Sequence, residues 1–235
     1  MNPFQSGELK KAVTFSYDDG ITQDIQMMEL MNKYGIKATF NLNSELLGTG
    51  MILHSGNRRL SHYKVRPEAV RDLYAGHEVA VHTLTHINLT KADDAEVIRQ
   101  VEQDRLNLSD LVGYEVVGMA YPCGGVNNDD RVAKIIKENT GVRYSRTTTT
   151  NNSFAVQDNL YRFNPTSYHH DFDSMIALAE KLIQMEPEEK QIFYIWGHSY
   201  EQDCGSDYWV RLEEFFKLIS GHKDIFYGTN AEVLL

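Results

Sequence analysis

The feature that most constrains this chain is an alternation. Short apolar runs are separated by segments whose apolar residues recur at helical spacing. A parallel sheet needs that pattern. Its strands are buried on both faces and read as continuous apolar runs, and each return to the same end of the sheet takes a crossover helix. The first strand is expected at Ala12–Tyr17, running into Asp18-Asp19-Gly20. A helix should follow from about Thr22 to Tyr34, with Ile21, Ile25, Met28 and Met31 at helical spacing, Thr22 as its cap and Gly35 at its end. Further strands are expected at Ala38–Leu42, Glu78–His82, Val116–Tyr121, Val142–Ser145, Leu160–Phe163 and Ile192–Trp196, with a short last one at Ile225–Thr229. Helices fit Arg66–Tyr74, a segment from Thr90/Asp93 to about Val112, then Asp129–Asn139, Phe172–Met185 and Asp207–Ser220. Gly48 to Lys64 has mixed polarity and reads as a long loop. Seven or eight such units in 235 residues suit one domain, a closed (β/α) barrel rather than an open doubly wound sheet. Asp18-Asp19-Gly20 is not the glycine-rich dinucleotide fingerprint.

Charge excludes some functions. The formal net charge is -10 and no basic stripe is present, which argues against nucleic acid and anionic membranes as partners. No apolar run is long enough to span a bilayer, and the N-terminus has no signal-peptide pattern, so a soluble, cytoplasmic protein is expected. Cys123 and Cys204 are too few for a disulfide framework and read as reduced thiols.

In a barrel, functional groups gather at the carboxyl ends of strands. Here the conspicuous polar residues fall there. His82 and His86, four apart after the third strand, can present two imidazoles to one metal ion. Alone, such a pair is more often structural. A carboxylate at another strand end raises its weight, and Asp19 is the candidate. Two histidines and one carboxylate leave coordination positions open, as catalytic sites require. Asp18 and Asp19 point in different directions, so one can bind metal while the other accepts a proton. The plainer role for either is a helix cap. His198, after Ile195-Trp196-Gly197, is either a core histidine or a general acid.

At this point the residues resemble a known family. Phe15-Ser16-Tyr17-Asp18-Asp19-Gly20, His82-Thr83-Leu84-Thr85-His86, Ala120-Tyr121-Pro122-Cys123-Gly124 and Ile195-Trp196-Gly197-His198 resemble, in order and spacing, the motifs of the polysaccharide deacetylase (NodB-homology) family. The resemblance runs from about residue 11 to 235. It implies a distorted (β/α)7 barrel that removes N- or O-linked acetyl groups from sugars. It makes Asp18 the general base, Asp19, His82 and His86 the metal ligands, His198 the general acid and the Tyr121 backbone N–H an oxyanion donor. It implies a divalent transition metal, zinc in first place, with cobalt, nickel, iron or manganese behind it.

Two departures mark the chain. The family's third motif begins with an arginine that pairs with the base; here that position is Ala120. Arg146 and Arg162 are the candidates to replace it. The fourth motif, an Asp and a Trp that tune the catalytic histidine, is not recognisable, which leaves Asp171 or Asp173 to orient His198 and His169 or His170 to reach substrate. Substrate contacts are assigned to Ile195, Trp196 and Arg162, the first two as walls of an acyl pocket or, equally, as strand core. Tyr63, Tyr168, Tyr200 and Trp209 could line a sugar cleft, although packing is their commoner role. His54, His62, His77 and His222 read as loop or surface residues. The leading expectation is deacetylation of an acetylated carbohydrate. The alternatives are a metal-dependent amidase on a small or cyclic amide and, third, a non-catalytic sugar-binding protein.

Overall fold

A computed structural model describes all residues, 1–235. Its strands are β1 (Lys11–Asp18), β2 (Ala38–Leu42), β3 (Gly50–Ser55), β4 (Arg58–Tyr63), β5 (Glu78–Val81), β6 (Gly118–Ala120), β7 (Tyr144–Arg146), β8 (Ser167–Tyr168), β9 (Gln191–Gly197) and β10 (Ile225–Tyr227). The helices are α1 (Asp24–Lys33), α2 (Val70–Leu73), α3 (Asp94–Ile98), α4 (Asp104–Val112), α5 (Asp130–Asn139), α6 (Phe172–Gln184), α7 (Tyr208–Ile219) and α8 (Asn230–Leu234). A π-turn at Arg99–Gln103 joins α3 to α4.

The main sheet is parallel and runs β7-β6-β5-β2-β1-β9-β8, with β10 also on β1. Every residue of β1 is buried, as an apolar run flanked on both sides demands. β1 pairs with β9 along most of its length. On its other edge it pairs with β10 at Lys11–Val13 and with β2 at Phe15–Asp18. The curled sheet closes through an irregular stretch. Phe163 exchanges backbone hydrogen bonds with β7 and its neighbour, Phe163 N–H to the Ser145 carbonyl at 3.0 Å and Thr147 N–H to the Phe163 carbonyl at 2.9 Å. A few residues on, β8 pairs with Ile195 and Trp196 of β9. The result is a distorted (β/α)7 barrel, as expected from the resemblance.

Three expectations need correction. Gly48 to Lys64 is largely an antiparallel hairpin, β3 with β4, in register from Gly50↔Tyr63 to Ser55↔Arg58. Only Leu60 is buried on it, so no alternating pattern marks the strands. Its signal lay in the turn: two residues, Gly56-Asn57, with Gly56 at φ 57°, a pairing suited to tight hairpins. Leu160–Phe163 is not a strand; Leu160–Arg162 is a 3-10 turn, and Pro165 follows. Thr22 does not cap α1, whose N-cap Gln23 makes no side-chain cap bond. The chain ends in a helix not anticipated from sequence, α8, held by a reciprocal capping box between Thr229 and Glu232.

Helices cover the sheet with their apolar faces. α7 places Phe215 and Phe216 edge-on against Phe15 of β1, with ring centroids 6.4 and 5.4 Å away. Phe15 is fully buried. Phe15→Ala should lower unfolding free energy by about 3–5 kcal/mol through lost burial and the cavity left behind, read from urea denaturation midpoints at unchanged slope.

Candidate active site

Strand geometry builds the site. Asp18 ends β1 and Asp19 follows it; His82 follows β5; Ala120 ends β6; Arg146 ends β7; His198 follows β9. Parallel strands bring these carboxyl ends into one mouth. A cavity of about 260 Å³ opens there, lined by Asp18, Asp19, His82, His86, Trp196 and His198 among others. One ligand atom each from Asp19, His82 and His86 lies within 4.8 Å of the other two. The structure therefore brings together the three residues that the sequence singled out as metal ligands.

His82 is fixed before any ion arrives. Its Nδ1 lies 2.9 Å from the Ala120 carbonyl, which sets Nδ1 as the donor and leaves Nε2 as a lone-pair donor toward the cavity. Its backbone N–H donates to Asp104 at 3.2 Å, and Asn43 donates to the Thr83 carbonyl beside it at 2.9 Å. Burial pulls the His82 pKa down to about 4 against the pull of Asp18, so the ring is neutral at pH 7, the form that binds metal. The site also holds backbone strain. Of the five non-glycine residues with positive φ, Asp19, Thr83, His86 and Cys123 belong to it or adjoin it. Each such residue costs on the order of 1–3 kcal/mol, a cost that concentrates at functional sites.

Asp18 has its arginine. One guanidinium nitrogen of Arg146 lies 2.6 Å from both Asp18 oxygens. Both side chains are buried. The same guanidinium donates to Ser16 Oγ at 3.1 Å and to the Thr147 carbonyl at 3.0 Å, and lies 4.5 Å from the centre of the Trp196 ring. Asn41 of β2 adds a hydrogen bond to Asp18 at 2.8 Å. Burial raises the Asp18 pKa, but Arg146, with His82 and His198, outweighs it and holds it below the ordinary carboxylate value. Across β6 and β7, Ala120 and Arg146 are register partners. The charge missing at Ala120 thus enters from the adjacent strand at the same height.

The partner of His198 is Glu201, which sequence reasoning missed. Glu201 Oε2 lies 3.2 Å from His198 Nδ1, accepts the His198 backbone N–H at 3.0 Å and lies 2.8 Å from His169 Nε2. Its other oxygen accepts from Tyr168. The spacing His198-x-x-Glu201 is that of a capping box, and this was the available signal. Burial lowers the His198 pKa, but Glu201, aided by Asp19 and Asp18, raises it to about 9.

The family model for polysaccharide deacetylase matches residues 6–144, more than half of the chain. The chain belongs to the polysaccharide deacetylase family. A peptidoglycan-N-acetylglucosamine deacetylase of Listeria monocytogenes is 28% identical over 119 residues, 50% of this chain and 22% of that protein. A bifunctional xylanase/deacetylase of Pseudobutyrivibrio xylanivorans is 25% identical over 120 residues, 51% of this chain and 18% of its own. The matched stretch spans about a fifth of these curated relatives. The fold is shared with a family 4 carbohydrate esterase from Streptomyces lividans (TM-score 0.58, 15% identity, 94% of this chain and 93% of the other). It is also shared with an allantoinase (TM-score 0.69, 13% identity, 100% and 92%).

Within this deacetylase-family barrel, several expected residues lie elsewhere. Arg162 does not join the cavity or replace the arginine; it pairs with Asn128 at 2.8 Å and Asp130 at 2.5 Å on the surface. Ile195 is fully buried in the core and does not line this cavity, whereas Trp196 does. The Tyr121 N–H is occupied, donating to the Arg146 carbonyl at 2.9 Å. On the same loop Cys123 and Gly124 line the cavity, and their amides have no backbone acceptor. Asp171 precedes α6 and Asp173 pairs with Arg211, so neither orients His198. His169 is buried behind Glu201 and packs on Gly197, whose missing Cβ makes room for it; His170 stacks on His169 and lines a separate cavity. Tyr200 lines the active-site cavity; Tyr63, Tyr168 and Trp209 do not. His77 is buried, its Nδ1 accepting from the Ala38 N–H at 3.1 Å, and His62 faces Asp19. His54 is exposed, and His222 bonds the Leu218 carbonyl at 3.0 Å. No helix is long and apolar enough to cross a membrane.

Arg146→Met leaves Asp18 buried without its counter-charge and should cost about 3–5 kcal/mol at neutral pH. Because the Asp18 pKa is lowered in the folded protein, its stabilisation exists above the unfolded-state pKa and is lost as pH falls through the folded one. Without Arg146, burial raises that pKa, so the penalty should shrink toward acid pH. Urea midpoints of wild type and variant at about pH 7 and about pH 5 check this, and adding Asp18→Asn should recover part of the loss.

Proposed function

We propose that this cavity is the active site of a metal-dependent deacetylase that hydrolyses an N- or O-linked acetyl group on a sugar or oligosaccharide. The observation that carries the reading is the Asp19, His82 and His86 cluster beside the Asp18–Arg146 pair. One carboxylate and two neutral imidazoles fit a divalent transition metal, zinc first, with open positions for water and substrate. When bound there, such an ion supplies Lewis acidity to an acyl carbonyl and makes water easier to deprotonate.

The chain's own residues do the rest. Asp18, held ionised by Arg146, accepts the proton of the attacking water. The Cys123 and Gly124 amides, rather than the occupied Tyr121 amide, are the backbone donors available to a developing oxyanion. His198, held protonated by Glu201, gives its proton to the leaving nitrogen or oxygen. Trp196 lies over the Arg146 guanidinium and lines the cavity beside Asp18.

A second reading is an amidase on a small cyclic amide. The cavity of about 260 Å³ adjoins a second one of about 290 Å³ that shares Asp19 and His86, so size alone does not choose between the readings. Acetylated chito-oligosaccharides assayed beside cyclic ureides and imides separate the two.

The first test is metal content. Wild type should purify or reconstitute with about one equivalent of transition metal, and His82→Ala/His86→Ala should hold none. No uptake by either protein would end the hydrolase reading. Asp18→Asn should lower kcat by about 10²–10⁴-fold with metal retained. His198 stays protonated up to about pH 9, so the basic limb of the rate profile should fall near there. Glu201→Gln removes the charge that raises this pKa and should move that limb toward neutral pH, read from kcat between about pH 6 and about pH 10.

A further inference from the structure

The β3–β4 hairpin carries a residue that the mechanism above leaves unused. His62 of β4 places Nε2 3.2 Å from Asp19 Oδ2. The other oxygen, Oδ1, faces His86 at 3.6 Å and Lys64 at 3.4 Å. The two Asp19 oxygens therefore have different neighbours, Oδ1 both His86 and Lys64, Oδ2 His62 of the hairpin. We propose that His62 is a positioning residue for Asp19, holding the carboxylate in its metal-binding rotamer from outside the ligand set. The proposal rests on the metal-dependent reading of the site.

Four observations support it. Asp19 lies one residue past the end of β1, at φ 83°, so the strand does not set the direction of its side chain. Asp19 is the one hydrogen-bond partner of the His62 side chain. The imidazole is held from behind by Tyr200, edge-on at 5.0 Å. The hairpin is pinned at this point, since the Thr22 N–H donates to the Tyr63 carbonyl at 2.8 Å and Gln23 donates to the Ser61 carbonyl at 2.7 Å. Lys64 fixes the Asp19 backbone by donating to its carbonyl at 2.7 Å, and Asn43 holds Lys64 in turn at 3.1 Å. Lys64 secures the main chain and also reaches Oδ1; His62 alone engages Oδ2. Hydrogen bonds that orient metal-binding carboxylates change affinity by about 10–100-fold when removed.

The experiment measures the Zn²⁺ dissociation constant of the 235-residue protein by competition with a chromogenic chelator. Wild type, His62→Ala and His62→Gln are compared, and the unfolding temperature of each metal-free protein is recorded. His62→Ala should bind zinc about 10–100-fold more weakly, and His62→Gln, which keeps an N–H donor, should recover most of that affinity. The three metal-free proteins should melt alike, which a purely structural role for His62 would not allow. Zinc bound equally well by His62→Ala overturns the proposal. So does His62→Gln binding as weakly as His62→Ala, since that outcome makes His62 itself a ligand. Failure of wild type to bind zinc, cobalt, nickel, iron or manganese overturns the metal reading and this proposal with it.

Discussion

Much of the architecture depends on one buried ion pair. Arg146 and Asp18 come from strands on opposite sides of the barrel mouth, and neither is exposed to water. Removing two charges from water costs several kcal/mol per ion unless geometry and further hydrogen bonds compensate. Here compensation comes from four strands: Ser16 from β1, Asn41 from β2, Thr147 beyond β7, and the face of Trp196 from β9. The pair therefore requires these strand ends to converge. It also keeps Asp18 ionised in surroundings that would otherwise protonate it.

The order of strands and the ring of polar strand ends were legible in the sequence because they follow from local rules. Apolar runs fixed β1, β2 and β9, and polar residues directly after such runs marked Asp18, Asp19, His82 and His198. What stayed hidden depends on lateral contacts, which a linear pattern does not carry. Arg146 could be named as a candidate beside Arg162, but only strand register separates them: one ends β7 next to Ala120, the other sits on a 3-10 turn facing solvent. Glu201 hid behind an ordinary capping spacing. His62 hid in a segment without periodicity, since β3 and β4 bury only Leu60 and leave no alternation to read.

Rigidity is unevenly distributed around the mouth. β1 is buried throughout and locked on both edges, so Asp18 is held by regular pairing. Asp19, Thr83, His86 and Cys123 lie beyond the strands, on backbone that L-residues adopt reluctantly. Side-chain clamps from neighbouring elements hold that backbone: Lys64 on the Asp19 carbonyl, Asn43 on the Thr83 carbonyl and Asn127 on the Cys123 carbonyl. The strain persists because Asp19 and Thr83 are tied down by residues distant in sequence and Cys123 by Asn127 of its own loop.

The register of Ala120 with Arg146 bears on how such barrels are compared. Residues at the same height on adjacent parallel strands form a collar, and any collar position can aim a long side chain at the same central acceptor. A motif written along the chain is only an unrolled view of that collar. Two sequences can then differ at a diagnostic position and still present the same charge at the same depth, one strand round. Strand-end positions read around the ring describe this site more faithfully than strings of residues read along it.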